Sequence, residues 1–169
     1  MTFRIICVLV LLLSSISFAQ EVDKAAIADA EVSRFIDHWT RDLPPKWRRM
    51  AYSHKPSVVH WALEYEVDPL LVARIISLES SWRDWVIGSK GEIGLMQIKS
   101  GEMREKYDVQ NPDENIRAGC ELLEKCVADC PTLKAALGKY GTGYCTEKGS
   151  WLDRRWKKYQ KDVEMFRRR

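Results

Sequence analysis

Asp68-Pro69-Leu70-Leu71-Val72-Ala73-Arg74-Ile75-Ile76-Ser77-Leu78-Glu79-Ser80-Ser81-Trp82 is the stretch on which the reading of this chain turns. Asp68 followed by Pro69 is an N-cap with proline in the first turn, so a helix is expected over about Pro69 to Trp82. Val72, Ile75, Ile76 and Glu79 fall at i, i+3, i+4, i+7, which puts the Glu79 carboxylate on the face that the rest of its helix buries. Apolar surroundings favour the protonated form of a carboxyl group, the form a general acid must hold near neutral pH. A glutamate in a last helical turn can also swing into solvent, and spacing alone leaves both readings standing.

Outward from this helix the chain reads as helical nearly throughout. Val32, Phe35, Ile36 and Trp39 repeat the same spacing before Leu43-Pro44-Pro45, giving a candidate amphipathic helix over 21–42, outside the main core. A second helix is expected from about Ser57 to Tyr65. Glycines at 88, 91, 94 and 101 break the periodicity, so 83–101 is read as loop with a short hairpin. Asn111-Pro112-Asp113-Glu114 has the form of a capping box. It opens a helix whose stripe is Ile116, Gly119, Cys120, Leu123, Cys126 and Val127. Pro131-Thr132 starts another, with Leu133, Ala136, Leu137 and Tyr140 on one face, and Leu152, Trp156, Tyr159, Val163 and Phe166 mark a last one. The expected class is mainly α.

Of the 169 residues, Ile5 to Leu13 are unbroken apolar after Arg4, and Ser17-Phe18-Ala19 offers small residues where a signal peptidase reads. Residues 1–19 are therefore expected to be a signal peptide, leaving one ordinary domain with no integral membrane segment after its removal. The expected address is exported, either periplasmic or secreted. Charge is mixed, with 27 basic and 24 acidic residues, and does not call for nucleic acid. Positions 151–169 concentrate eight basic against three acidic residues, suiting either an anionic surface or a solvated helix face. His38, His54 and His60 lack metal spacing, and neither a metal nor a cofactor is expected.

Glu79-Ser80-Ser81-Trp82 and then Gly91-Glu92-Ile93-Gly94-Leu95-Met96-Gln97-Ile98 strongly resemble the signature of lytic transglycosylases with a goose-type-lysozyme-like domain. In that family an acid glutamate precedes serine and an aromatic residue, and the glutamine of a Gly-Leu-Met-Gln segment follows eighteen positions on, as 97 minus 79 gives here. Asn111 to Ile116 with Gly119, and Ala136 to Gly143, are similar to two further family blocks, so the resemblance covers about 57–145. Two positions depart from it. Gly141 stands where the family usually has asparagine after the tyrosine, and Gly88, with Ser89 beside it, stands where a serine is common.

The resemblance implies a lysozyme-like domain that cleaves peptidoglycan glycan strands, with Glu79 as the catalytic acid. It also implies that Gln97 and Met96 line the saccharide groove, that Tyr140 helps position the acid, and that Ser80 and Ser89 make further groove contacts. A hydrolase usually needs two carboxylates, and the segment offers only Asp84 and Glu92, neither in the family's catalytic position. A transglycosylase needs one, because the sugar's own 6-hydroxyl attacks and closes a 1,6-anhydro ring. Two other readings stand beside it: a hydrolase on the same scaffold, and a weakly active wall-binding protein of a secretion, pilus or phage apparatus. The expected organisation is signal peptide 1–19, N-terminal amphipathic helix and linker 20–56, lysozyme-like domain 57–150, and a basic C-terminal helix 151–169 packed on the domain.

Removing Cys7 with the leader leaves Cys120, Cys126, Cys130 and Cys145, which in an exported chain are expected to form two disulfides. If the helices on either side of Pro131 form an antiparallel hairpin, Cys120 lies level with Cys145 beyond the far end of the second helix, while Cys126 and Cys130 meet at the connection. Nested pairing, Cys120 with Cys145 and Cys126 with Cys130, is the expectation.

Overall fold

The computed structural model describes residues 2–99 and 101–167, with side chains described from Gln20 onward apart from Ser100 and the last two residues. The expected leader, 1–19, falls outside the described side chains. Among the described residues there are seven helices: α1 (Thr2–Trp39), α2 (Pro45–Glu64), α3 (Pro69–Glu79), α4 (Glu102–Lys106), α5 (Pro112–Asp129), α6 (Leu133–Thr142) and α7 (Ser150–Arg167). No helix among the described residues is long and apolar enough to cross a membrane.

α3 is the centre of the domain. Asp68 caps it by accepting the Leu70 amide at 3.0 Å, and every residue from Pro69 to Ser77 is buried except Arg74. A helix that is apolar all round must be enclosed by others. α1, α2 and α7 pack directly on it. The N-terminal helix is therefore not outside the core, as its sequence suggested. Val32, Phe35 and Ile36 are fully buried, and the Phe35 ring meets Phe166 of α7 edge-on at 6.0 Å with the Arg74 guanidinium 4.8 Å above it.

α2 starts at Pro45, not near Ser57, and runs through Pro56. A proline inside a helix removes one hydrogen bond and costs about 3 kcal/mol. Here Ala51, Val58 and Ala62, spaced along one face, are all fully buried, and continuity of that stripe outweighs the local penalty. The break expected between 20–56 and the domain thus falls inside one helix.

After α3 the chain reverses through Ser81 (φ 53°) and Trp82 (φ 63°). In the loop that follows, the expected hairpin is reduced to two isolated antiparallel bridges, Ile87 with Ile93 and Ile93 with Ile98. α5 begins as read, Asn111 accepting the amides of Asp113 and Glu114. Its stripe is buried at Ile116, Cys120, Leu123 and Cys126, while Val127 faces solvent. α6 is capped by Thr132 and closed by Gly143 in the left-handed conformation (φ 90°).

The disulfide pairing is corrected. Cys130 joins Cys145, with Cα atoms 5.7 Å apart, while Cys120 and Cys126 are free and buried. The cause lies at Gly143, which turns the chain back along α6. Gly138 of α6 is so closely overlaid by this returning segment that a Cβ there would sit 2.1 Å from the Thr146 carbonyl oxygen. Thr132 and Glu147 also hydrogen bond. Cys145 therefore returns to the α5–α6 connection instead of remaining at the far end. Cys130, extended at the α5 terminus, meets it there, and the two helical cysteines stay within the α5 stripe.

α4, which periodicity does not reveal, is fastened by a buried carboxylate. Glu121 of α5 accepts from Lys106 at 2.9 and 2.7 Å, from Tyr107, and from Tyr65 at 3.4 Å, and pairs with Lys125 at 3.1 Å. Burial opposes its ionised form, but the donors from Lys106, Tyr107 and Lys125 outweigh it and hold the carboxyl down at about 2, from an ordinary 4.5. Because the folded value is depressed, the contribution is fully present above about 4.5 and is lost as pH falls through about 2. Glu121→Gln should lower stability near neutrality by roughly 1.5–3 kcal/mol. Urea unfolding across pH should show the variant and parent converging toward pH 2; a constant gap would contradict this role for the carboxylate.

Candidate active site

Glu79 is the last residue of α3, where the apolar helix ends and the chain turns away. Its side chain is 18% exposed and pairs with Arg155 of α7. Tyr140 of α6 lies close enough that the Glu79 charge acts on it: burial, and then that charge, push the phenol well above its usual range. Glu79 thus lies where α3, α6 and α7 converge. A cavity of about 10 Å³, lined by Leu71, Ile75, Leu78, Tyr140, Arg155 and Tyr159 among others, lies in this convergence; at that size it holds about one water. A broader groove of about 1230 Å³ runs along α1 and α2, lined by Glu21, Asp29, His60 and Glu64 among others; Glu79 lines neither space. The α3 terminus is a candidate site because ionisable groups from three helices converge there, not because of its volume.

The Gly94-to-Gln97 segment is tied to the rest by one amide side chain. Asn115 of α5 accepts the Met96 amide at 2.9 Å and donates to the carbonyls of Ile93 (2.9 Å) and Val109 (2.8 Å). Gly94, at φ 78°, lies so near that a Cβ would be 2.4 Å from the Asn115 Nδ2, and Gly119 leaves room for the Met96 thioether, 2.2 Å from where its Cβ would be. The Tyr140 hydroxyl donates to the Met96 carbonyl at 2.8 Å and joins α6 to the same loop.

These contacts revise several expected groove residues. The Met96 side chain is fully buried, so it packs against α5 and does not line a groove. Ser80 is 1% exposed and donates its hydroxyl to the Ile76 carbonyl, closing α3 instead of facing a sugar. Gln97, at φ 51°, gives both amide hydrogens to the loop, to Gly94 O at 2.8 Å and Val86 O at 3.1 Å. Only its Oε1 is left to accept a donor. Ser89 is exposed in the turn after Gly88. Trp82 is fully buried, so it packs in the core and offers no face to a sugar.

Both departures from the resembled pattern are filled by other side chains. A Cβ at Gly88 would meet Glu92 Oε2 at 2.4 Å and Gln97 Oε1 at 2.7 Å, so these two occupy the place of a side chain there. A Cβ at Gly141 would lie 2.2 Å from the ring of Trp151. Trp151 in turn carries the Arg155 guanidinium at 4.2 Å. Neither residue was found from sequence, where 151–169 was read as a basic helix with its apolar stripe at Leu152, Trp156, Tyr159, Val163 and Phe166. The signal was the i, i+4 spacing of Trp151 and Arg155 taken together with the missing asparagine.

The other carboxylates of the segment are engaged away from Glu79. Asp84 faces His54 of α2 at 3.8 Å, and Glu92 accepts the Lys90 amide at 2.9 Å. Its own amide and that of Lys90 hold the Glu92 carboxyl below the usual range.

An all-helical lysozyme-like domain with one glutamate at the end of its central helix defines a class of glycan-cleaving proteins. Residues 57–164 match the transglycosylase SLT domain, and the chain belongs to that family. The family's activity is of the lytic transglycosylase type, and its substrate is the glycan of peptidoglycan. The match runs through most of α7, so the helix that carries Arg155 is part of the domain. No curated protein matches the chain.

Gly141→Asn tests the seat of Trp151. Asparagine has a better helix propensity than glycine, so without a clash the change would be neutral or slightly stabilising. With Trp151 in place it should destabilise by roughly 1–3 kcal/mol, and Trp151→Ala should relieve most of that loss. Additive effects in a double-mutant cycle by denaturant unfolding would contradict the contact.

Proposed function

We propose that the chain is a peptidoglycan lytic transglycosylase in which Glu79 acts first as acid and then as base, leaving 1,6-anhydro-muramic acid ends. The observation that carries this is the pairing of Glu79 with Arg155 where α3, α6 and α7 converge, while Asp84 and Glu92, the other carboxylates of the segment, are engaged elsewhere. Glu79 gives its proton to the glycosidic oxygen and the bond to C1 breaks. The carboxylate then takes the proton of the 6-hydroxyl as that oxygen bonds to C1. No water is consumed, so no second carboxylate is needed to activate one. Tyr140 positions the site through its bond to the Met96 carbonyl, and Gln97 Oε1 and Ser89 are the remaining groove contacts proposed for the glycan.

The Cys130–Cys145 disulfide supports an address outside the cytoplasm, periplasmic or secreted, behind a leader at 1–19. A role for the chain beside a secretion, pilus or phage apparatus remains a proposal by analogy. The basic C-terminal segment is not a free tail for such a partner: Leu152, Tyr159 and Phe166 anchor it in the core, and Arg155 and Arg167 pair internally.

Glu79→Gln preserves shape and removes the proton, so cleavage of purified peptidoglycan should fall roughly 10²- to 10⁴-fold with folding intact. Mass spectrometry of the parent's products should show ends lighter by one water than hydrolysed ones. A variant cleaving at the parent rate would overturn the role of Glu79, and products with reducing ends alone would move the assignment to a hydrolase.

A further inference from the structure

The ion pair on Glu79 conflicts with its first task. The Arg155 guanidinium occupies a Glu79 carboxyl oxygen, and the acid step needs that carboxyl to meet the glycosidic oxygen. Arg155 must therefore leave Glu79 before the glycosidic oxygen can be protonated. Arg155 pairs with Glu79, and the neighbouring Arg74 is held by Asp162 at 2.5 Å through two bonds. Asp162 is thereby occupied as well.

Arg155 is also presented in a particular way. Its plane lies over the ring of Trp151, which is 36% exposed and seated on the bare backbone of Gly141. Stacking fixes the plane while leaving the edge of the fork to make paired hydrogen bonds, the geometry suited to a carboxylate. In peptidoglycan the muramic acid next to the scissile bond carries a lactyl group whose carboxyl is either free or extended by a peptide with carboxylates of its own.

Resting on the transglycosylase reading, we propose that Arg155 is a specificity-determining residue that exchanges Glu79 for a carboxylate of the bound glycan. Seating a substrate carboxylate draws the guanidinium off the acid, and the Glu79 carboxyl is then free to meet the glycosidic oxygen. A glycan without a carboxylate at that place leaves the acid paired and the site slow. Trp151 positions the guanidinium through the stack, and the side-chain-free Gly141 is what admits Trp151.

Three substrates test this in steady-state kinetics: peptide-free glycan with free lactyl carboxylates, the same glycan with those groups converted to methyl amides, and peptide-bearing glycan. The parent should prefer a carboxylate-bearing glycan over the amide by about tenfold or more in kcat/KM. Arg155→Gln should abolish that preference and raise the rate on the amide, while Arg155→Lys should retain part of it. Preference for the free lactyl form over the peptide-bearing form assigns the lactyl carboxylate as the partner; the reverse assigns the peptide. A parent that cleaves glycan with no preference, a Gln variant that keeps the preference, or one that is slowed equally on all three would overturn the exchange while leaving the enzyme reading intact. A parent that cleaves none of them overturns both. If Arg155→Gln fails to fold, as circular dichroism would show, the parent and the Lys variant still decide.

Discussion

The enclosure of α3 on every side is the constraint on which the rest of the structure depends. An almost wholly apolar helix must be wrapped, and α1, α2 and α7 do so. Because the helix is fixed along its whole length, its last residue is fixed as well, and Glu79 is delivered to a definite point where α6 and α7 also arrive. A catalytic group at the end of a rigid element keeps its position without support from a flexible loop. The reversal after it, through two non-glycine residues at positive φ, turns Trp82 into the core and commits the chain to the Gly94–Gln97 loop.

That loop behaves as a fitted part. Asn115 supplies three hydrogen bonds to loop amide and carbonyl groups, Gly94 and Gly119 supply clearance, and Tyr140 closes the circuit to α6. Residues that the resemblance presents as contacts with sugar, Met96 and the Gln97 amide nitrogen, are used here to hold the loop in shape. In this chain Met96 and Gln97 thus serve the packing of their own loop.

How far this could be read in advance depended on whether the deciding physics was local. The placement of Glu79 followed from a period of 3.6 residues, and the caps at Asp68 and Asn111 followed from short-range hydrogen bonding. The continuity of α2 through Pro56 did not, because burial of residues on both sides of the proline decided it. The disulfide was missed for a related reason. Gly143 closes α6, but the sequence does not state the direction in which the chain leaves it, and that direction brings Cys145 to Cys130. Arg155 was invisible as a site residue because it lies 76 positions from Glu79 and only the packing of α7 against α3 joins them.

If glycan is cut at the end of α3 and not in the larger groove along α1 and α2, a crystal structure of Glu79→Gln with a bound peptidoglycan oligomer should show it. A glycosidic oxygen is expected within hydrogen-bonding distance of the residue 79 side chain, with the sugar running between the loop after α3 and the Tyr140 end of α6. An oligomer seated along Glu21, Asp29, His60 and Glu64, with position 79 untouched, would contradict it.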